Sequence, residues 1–205
     1  MKAKRHPTRS DNLRRALAQE AARIMAEHGI RDFLVAKRKA AERFGVSDGA
    51  ALLPKNSEIE EALVAYQRLF GGASHLEALY AQRTAALSAM RYLQEFEPRL
   101  VGPVLSGTAT EHSEVQLHLF ADRAESVTLK LIDQGIPHEV TERRVKLNPE
   151  RFRAFPGVRF EMDDQPIEAT VFPPEGIRQA PVSPVDGRPM RRATALEVEA
   201  LLEGS

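Results

Sequence analysis

Arg99 to Asp122 reads RLVGPVLSGTATEHSEVQLHLFAD, and the fold of the chain turns on this stretch. Leu100, Val101, Val104 and Leu105 make one extended apolar run that ends on Ser106-Gly107-Thr108. In a second run Val115, Leu117 and Leu119 alternate with Glu114, Gln116 and His118. Strict alternation is the period of a half-buried strand, so Glu114, Gln116 and His118 are expected on one face. A glycine in the loop between the runs lets backbone amides come close to a ligand. The stretch therefore predicts a strand, a polar Gly-Thr turn and a second strand that presents polar groups beside it.

Upstream, the signals are helical. Ser74 with Glu77 has capping-box spacing and opens a long helix through Leu76, Tyr80, Leu87, Met90 and Leu93 to Phe96, which Pro98 ends. Ser57 with Glu60 repeats the device, and Ile59, Leu63, Tyr66 and Phe70 form an apolar stripe that stops at Gly71-Gly72. Leu13, Leu17, Ile24 and Met25 recur at helical spacing between Asp11 and His28, and Gly29 supplies a stop. A further helix over about Phe33 to Phe44 carries Lys37, Arg38, Lys39 and Arg43. Residues 1–10 read as a flexible basic tail.

Downstream, Asp122 and Glu125 are expected to open a helix through Val127 and Leu131 that stops at Gly135. A strand over about His138 to Leu147 is followed by a short helical piece near Pro149 to Phe155. Val158 to Phe172 reads as a hairpin turning at Asp163-Asp164-Gln165-Pro166. A proline-rich crossing then leads to Thr194 and Glu197, which cap a last helix through Val198 and Leu201. The order of elements predicts an α/β (α+β) protein with a helical segment over 11–72 and a mixed-sheet domain over 73–205.

Composition narrows the function. The 205 residues suffice for one domain with a helical appendage, or for two small domains. Lys and Arg number 29 and Asp and Glu number 29, so global charge makes no case for nucleic acid or membrane as a partner. Cysteine is absent, which excludes disulfides, thiolate catalysis and cysteine-ligated zinc. MKAKRHPTRS has no apolar signal core and no apolar run reaches membrane-spanning length, so a cytoplasmic protein with no membrane partner is expected.

The strand, Gly-Thr turn and polar-alternating strand resemble the core of the nucleotidyltransferase superfamily, over about Leu76 to Phe172. That resemblance implies a nucleotidyltransferase-like mixed-sheet domain. In such enzymes two divalent metals are held by two acidic residues, two apart on the second strand, and by a third on a neighbouring strand. A glycine turn binds phosphate. Carried over residue by residue, Gly107 and Thr108 stand at the turn, Glu114 takes the first acidic place and Glu168, in IEATVF, takes the third. Gln116 occupies the second, and a neutral amide is a poor ligand for a hard divalent cation. The resemblance thus implies a nucleotide-binding set of Gly107, Thr108, Glu114, Gln116, His118 and Glu168. The expectation is a non-catalytic relative that binds a nucleotide, an RNA end or a protein partner in a residual cleft. Magnesium, held by Glu114 and Glu168, is expected only in the alternative of an active nucleotidyltransferase; no other cofactor is expected, and no general base is identified. His112 and His118 with Glu114 offer a further alternative, a single transition-metal site.

Two other resemblances bear on function. The pattern from AQEAARIMAEHGI through VGPVLSGTA to SPVDGRPMRRA is similar to a bacterial family whose members have sometimes been labelled UDP-N-acetylmuramate-alanine ligases. That label implies a Gly-Lys-Ser or Gly-Lys-Thr loop, which the sequence lacks, so ligase activity is not expected. AARIMAEHGI followed by AKRKAAERFGVSDGALL resembles the start of a helix-turn-helix repressor of the tetracycline-repressor type. It implies a turn at Gly45-Val46-Ser47, a recognition helix from Asp48 to Leu53, and Lys37, Arg38, Lys39 and Arg43 against DNA phosphates. Pro54 cuts that third helix short, so duplex DNA is not the expected partner.

Overall fold

A computed structural model describes residues 8–46, 52–148 and 151–204. The protein is mixed α/β, with helices first and a five-stranded mixed sheet after them. Two compact units divide the chain, Met1–Gly72 and Ala73–Ser205. No helix among the described residues is long and apolar enough to cross a membrane.

In the first unit, α1 (Arg9–His28), α2 (Phe33–Arg43) and α3 (Asn56–Tyr66) pack around Leu17, Ala21, Ile24, Ala36, Ala40, Ile59 and Leu63. Thr8 and Asp11 form a reciprocal capping box, so α1 begins at Arg9, ahead of the expected Asp11. Asp32 caps α2 by accepting from the amides of Leu34 and Val35, at 2.7 and 3.0 Å. The cap of α3 falls at Lys55 and Glu58 rather than Ser57 and Glu60: the Lys55 amide donates to Glu58 at 2.6 Å, and Arg14 holds the same carboxylate. Only half of the expected stripe is core. Ile59 and Leu63 are buried, whereas Phe70 is 71% exposed, because a π turn over Gln67–Gly71 changes the helical phase after Tyr66. Residues 1–7 of the expected tail and 48–51 of the expected recognition helix lie outside the described residues.

The second unit carries α4 (Gly72–Tyr92), β1 (Arg99–Val101), α5 (Gly102–Ser106), β2 (Val115–Phe120) and α6 (Glu125–Asp133). Strands β3 (His138–Asn148), β4 (Arg151–Met162) and β5 (Gln165–Phe172) follow, then a 3₁₀ turn at Pro174–Arg178 and α7 (Ala195–Glu203). Sheet order is β1-β2-β5-β4-β3; β2 and β5 run parallel and the other pairs antiparallel. One face is the core. Leu117, Leu119, Val158, Phe160, Ala169 and Val171 meet Leu87, Met90 and Leu93 of α4, Val127 and Leu131 of α6, and Val198 of α7. Removal of this apolar area from water is the main stabilising term, about 1.5–3 kcal/mol for each large side chain. Thr194 and Glu197 cap α7 as the sequence predicts.

Four sequence expectations are corrected. Val104 and Leu105 lie in α5 and not in a strand, because Gly102, at φ +72°, ends β1 and Pro103 starts a helical turn. The start of α6 is Ala124, with no side-chain cap from Asp122 or Glu125. Leu76 is 64% exposed, so the apolar stripe of α4 begins to bury only at Leu79. Of the helical piece expected near Pro149 to Phe155, residues 149 and 150 lie outside the described residues and 151–155 are strand: β3 and β4 pair antiparallel from His138 opposite Phe160 to Asn148 opposite Arg151. Phe155 packs with Phe120 and Phe172 in a small cluster of its own. The β4–β5 turn is Asp163-Asp164, both at positive φ, the two-residue geometry that matches strand twist.

Candidate functional site

The face of the sheet opposite the core is polar along its middle. Gln116 on β2, Glu168 on β5 and Arg159 on β4 stand side by side in one register row, with Val101 of β1 closing it. In the next row are Arg99, His118, Thr170 and Gly157. Parallel pairing of β2 with β5 is what sets Gln116 beside Glu168, residues 52 apart in the chain.

Both candidate carboxylates are occupied. Arg159 pairs with Glu114 at 2.9 Å and Arg143 with Glu168 at 3.3 Å. The carboxylates are the buried partners, at 11% and 7% side-chain exposure, while both guanidinium side chains are close to half exposed. Gln116 is half-buried and its Oε1 lies where a Cβ on Gly102 would fall, 2.5 Å away; the positive φ of Gly102, +72°, is what favours glycine there. A pair of divalent ions does not fit these residues as they stand. Two fixed positive charges occupy the carboxylates, and the position between them in the motif is a neutral amide. Among the described residues no group of three or more His, Asp or Glu side chains could hold a metal ion.

Gly107 and Thr108 face another way. The amides of both donate to the carbonyl of Pro103, closing the end of α5, and the Thr108 hydroxyl is bonded to Ser106 at 2.8 Å. Arg83 and Leu79 of α4 are what a side chain at Gly107 would meet. The rest of the loop is equally tied. Ser113 accepts from the amide of Thr110 and donates its own to the Thr110 carbonyl, and Gln82 donates to the carbonyls of Thr110 and Ser113. The turn expected to cradle phosphate therefore spends its amides on its own fold, and the glycine that touches the polar row is Gly102.

His118 is buried beneath the row, where Arg192 donates from Nε to its Nδ1 at 3.0 Å. Burial pushes the imidazole down to about 3, with Arg192 and Arg143 acting in the same direction, so the ring is neutral and carries its proton on Nε2. Arg192 lies over the rings of Phe120 and Phe172, 5.0 and 5.5 Å from their centroids, and donates to the carbonyls of Gly176 and Ile177. Its own value is lowered to about 10, first by burial and then by Arg99. Together these contacts fasten the segment after β5 to the sheet. His118 is an acceptor in that structural network, and His112 is an exposed loop residue beside Glu111.

Lys37, Arg38, Lys39 and Arg43 are on α2 in the first unit, where Arg43 pairs with Glu20 at 2.6 Å. Four residues at the polar face were not signalled by the sequence: Gly102, Arg143, Arg159 and Arg192. Their roles follow from register across strands distant in the chain, which no local pattern encodes. Comparison with family profiles, with curated proteins and with solved structures finds no match to this chain, so its own geometry carries the functional reading.

Proposed function

We propose that the chain is a non-catalytic, nucleotidyltransferase-like binding protein. Its polar sheet face would take a phosphorylated ligand, a nucleotide or the phosphorylated end of an RNA. The observation that carries this reading is the pairing of Glu114 with Arg159 and of Glu168 with Arg143. In a two-metal enzyme the positive charge facing the phosphates comes from divalent ions. Here guanidinium groups hold that charge in place, and each has five N–H donors, more than one carboxylate can use. Their half-exposed heads leave donors for phosphate oxygens, which guanidinium binds with charge-assisted hydrogen bonds. Binding in this reading needs no metal.

Isothermal titration with ATP, GTP, CTP and UTP, each in magnesium and in EDTA, tests it. The expected result is binding of at least one nucleotide, unchanged by EDTA and weakened roughly tenfold or more in Arg143→Gln/Arg159→Gln, as the loss of charged hydrogen bonds implies. Magnesium-dependent binding abolished by Glu114→Gln would establish the active enzyme instead. Binding of none of the four would remove the nucleotide reading and leave a protein partner.

A further inference from the structure

Beyond Gly157 the sheet narrows. Strand β5 pairs with β4 only over Gly157 to Met162, so Arg151 to Pro156 and the facing part of β3 form a two-stranded ribbon. Five cations belong to it: Arg143, Arg144, Lys146, Arg151 and Arg153. Arg143 is held by Glu168, and the other four have no carboxylate partner among the described residues. The zero net charge of the chain conceals this local excess.

One face of the ribbon combines charge with an aromatic ring. Val158 and Phe160 are buried on the core face, and the next β4 residues on that side, Pro156, Ala154 and Phe152, are all exposed. Phe152 is 52% exposed and stands opposite Lys146 in register. Arg144 lies 5.1 Å and Lys146 5.7 Å from its ring centroid. An aromatic face between cations on an extended strand is the combination that holds single-stranded nucleic acid, with bases stacked on the ring and phosphates against the charges. Paired bases would give Phe152 nothing to stack on. Glu142, exposed two residues from Arg144 on the same face, is an acceptor to which a ribose 2′-hydroxyl can donate and which DNA cannot use.

We infer that the Phe152 face of the outer β3–β4 ribbon is a docking surface for single-stranded RNA. Arg144 and Lys146 neutralise phosphates, Phe152 stacks a base and Glu142 selects ribose. The inference stands apart from the nucleotide reading: RNA binding by a protein that takes up no free nucleotide would support the ribbon alone.

Fluorescence anisotropy of a labelled 12-nucleotide oligouridylate with the full chain, over a series of salt concentrations, is the test. The slope of log affinity against log salt is expected near −1.4, for phosphate contacts by Arg144 and Lys146, about 0.7 for each. Arg144→Gln/Lys146→Gln should reduce the slope by about 1.4. Phe152→Ala should weaken binding roughly tenfold at every salt concentration and leave the slope unchanged. A charge-matched control, Arg15→Gln/Arg188→Gln, should alter neither. All the ribbon side chains changed are on the surface, and unchanged thermal unfolding of each variant attributes lost binding to the ribbon. No binding at low salt, equal binding in the variants, equal affinity for the matching oligodeoxynucleotide, tighter binding to a duplex, or equal competition by a polyglutamate of matching charge would each overturn the inference.

Discussion

Arginines occupy two contrasting settings on the same pair of strands. On the polar face, Arg143 and Arg159 are committed to carboxylates that are almost wholly buried. On the outer ribbon Arg144, the immediate neighbour of Arg143, points to the opposite face and lies over an exposed aromatic ring, with no carboxylate partner among the described residues. Strand periodicity sends consecutive residues to opposite sides, so adjacent arginines acquire different chemistry from one another. Charge counted along the chain blurs the two, and charge sorted by face separates an internally balanced site from an unbalanced surface.

The comparison can be broken in several ways. Arg192→Met removes the cation that bonds His118, Gly176 and Ile177, and should destabilise the fold by about 2–3 kcal/mol in denaturant unfolding. Acid should act next, through His118. Its folded value, about 3, lies below its ordinary 6.5, so neither state takes up this proton above pH 6.5. As pH falls from 6.5 toward 3 the unfolded chain protonates first, and stability should decline by up to about 1.4 kcal/mol per pH unit. His118→Gln keeps an acceptor for Arg192 and should flatten that part of the profile; an unchanged profile would show that His118 titrates normally.

Smaller effects sharpen the contrast. Arg143→Met and Arg159→Met each remove the arginine paired with a buried carboxylate, and should cost about 1–2 kcal/mol, the partial exposure of each arginine limiting the loss. Pairing Arg143→Met with Glu168→Gln should recover much of it, and a double-mutant cycle measures the coupling. On the ribbon, Arg144→Gln and Lys146→Gln should change stability by less than about 0.5 kcal/mol, since no carboxylate depends on them.

Much of the fold was legible in the sequence. Alternation in Val115 to Leu119 and the Thr194–Glu197 cap each state a local conformation in local terms, and the structure contains both; the turn expected over Asp163 to Pro166 is tighter, Asp163-Asp164, with Gln165 and Pro166 already in β5. The β4 start was not legible, because Pro149 next to charged residues suggests a break, and the burial of Phe155 against Phe120 and Phe172 comes from tertiary packing. Candidate site residues were legible one at a time and not as a set. Glu114, Gln116 and Glu168 do gather at one face, but the arginines that neutralise them come from β3 and β4. Gly107 had the composition of a ligand turn, yet its amide closes α5, while Gly102 carries the close approach.

Divalent-cation binding addresses the central claim, that arginines stand where metal charge would be. Calorimetric titration with magnesium should show no binding to the unaltered protein, whose carboxylates at this face are paired with Arg159 and Arg143. Stoichiometric magnesium binding by the unaltered protein, lost in Glu114→Gln, would contradict the account.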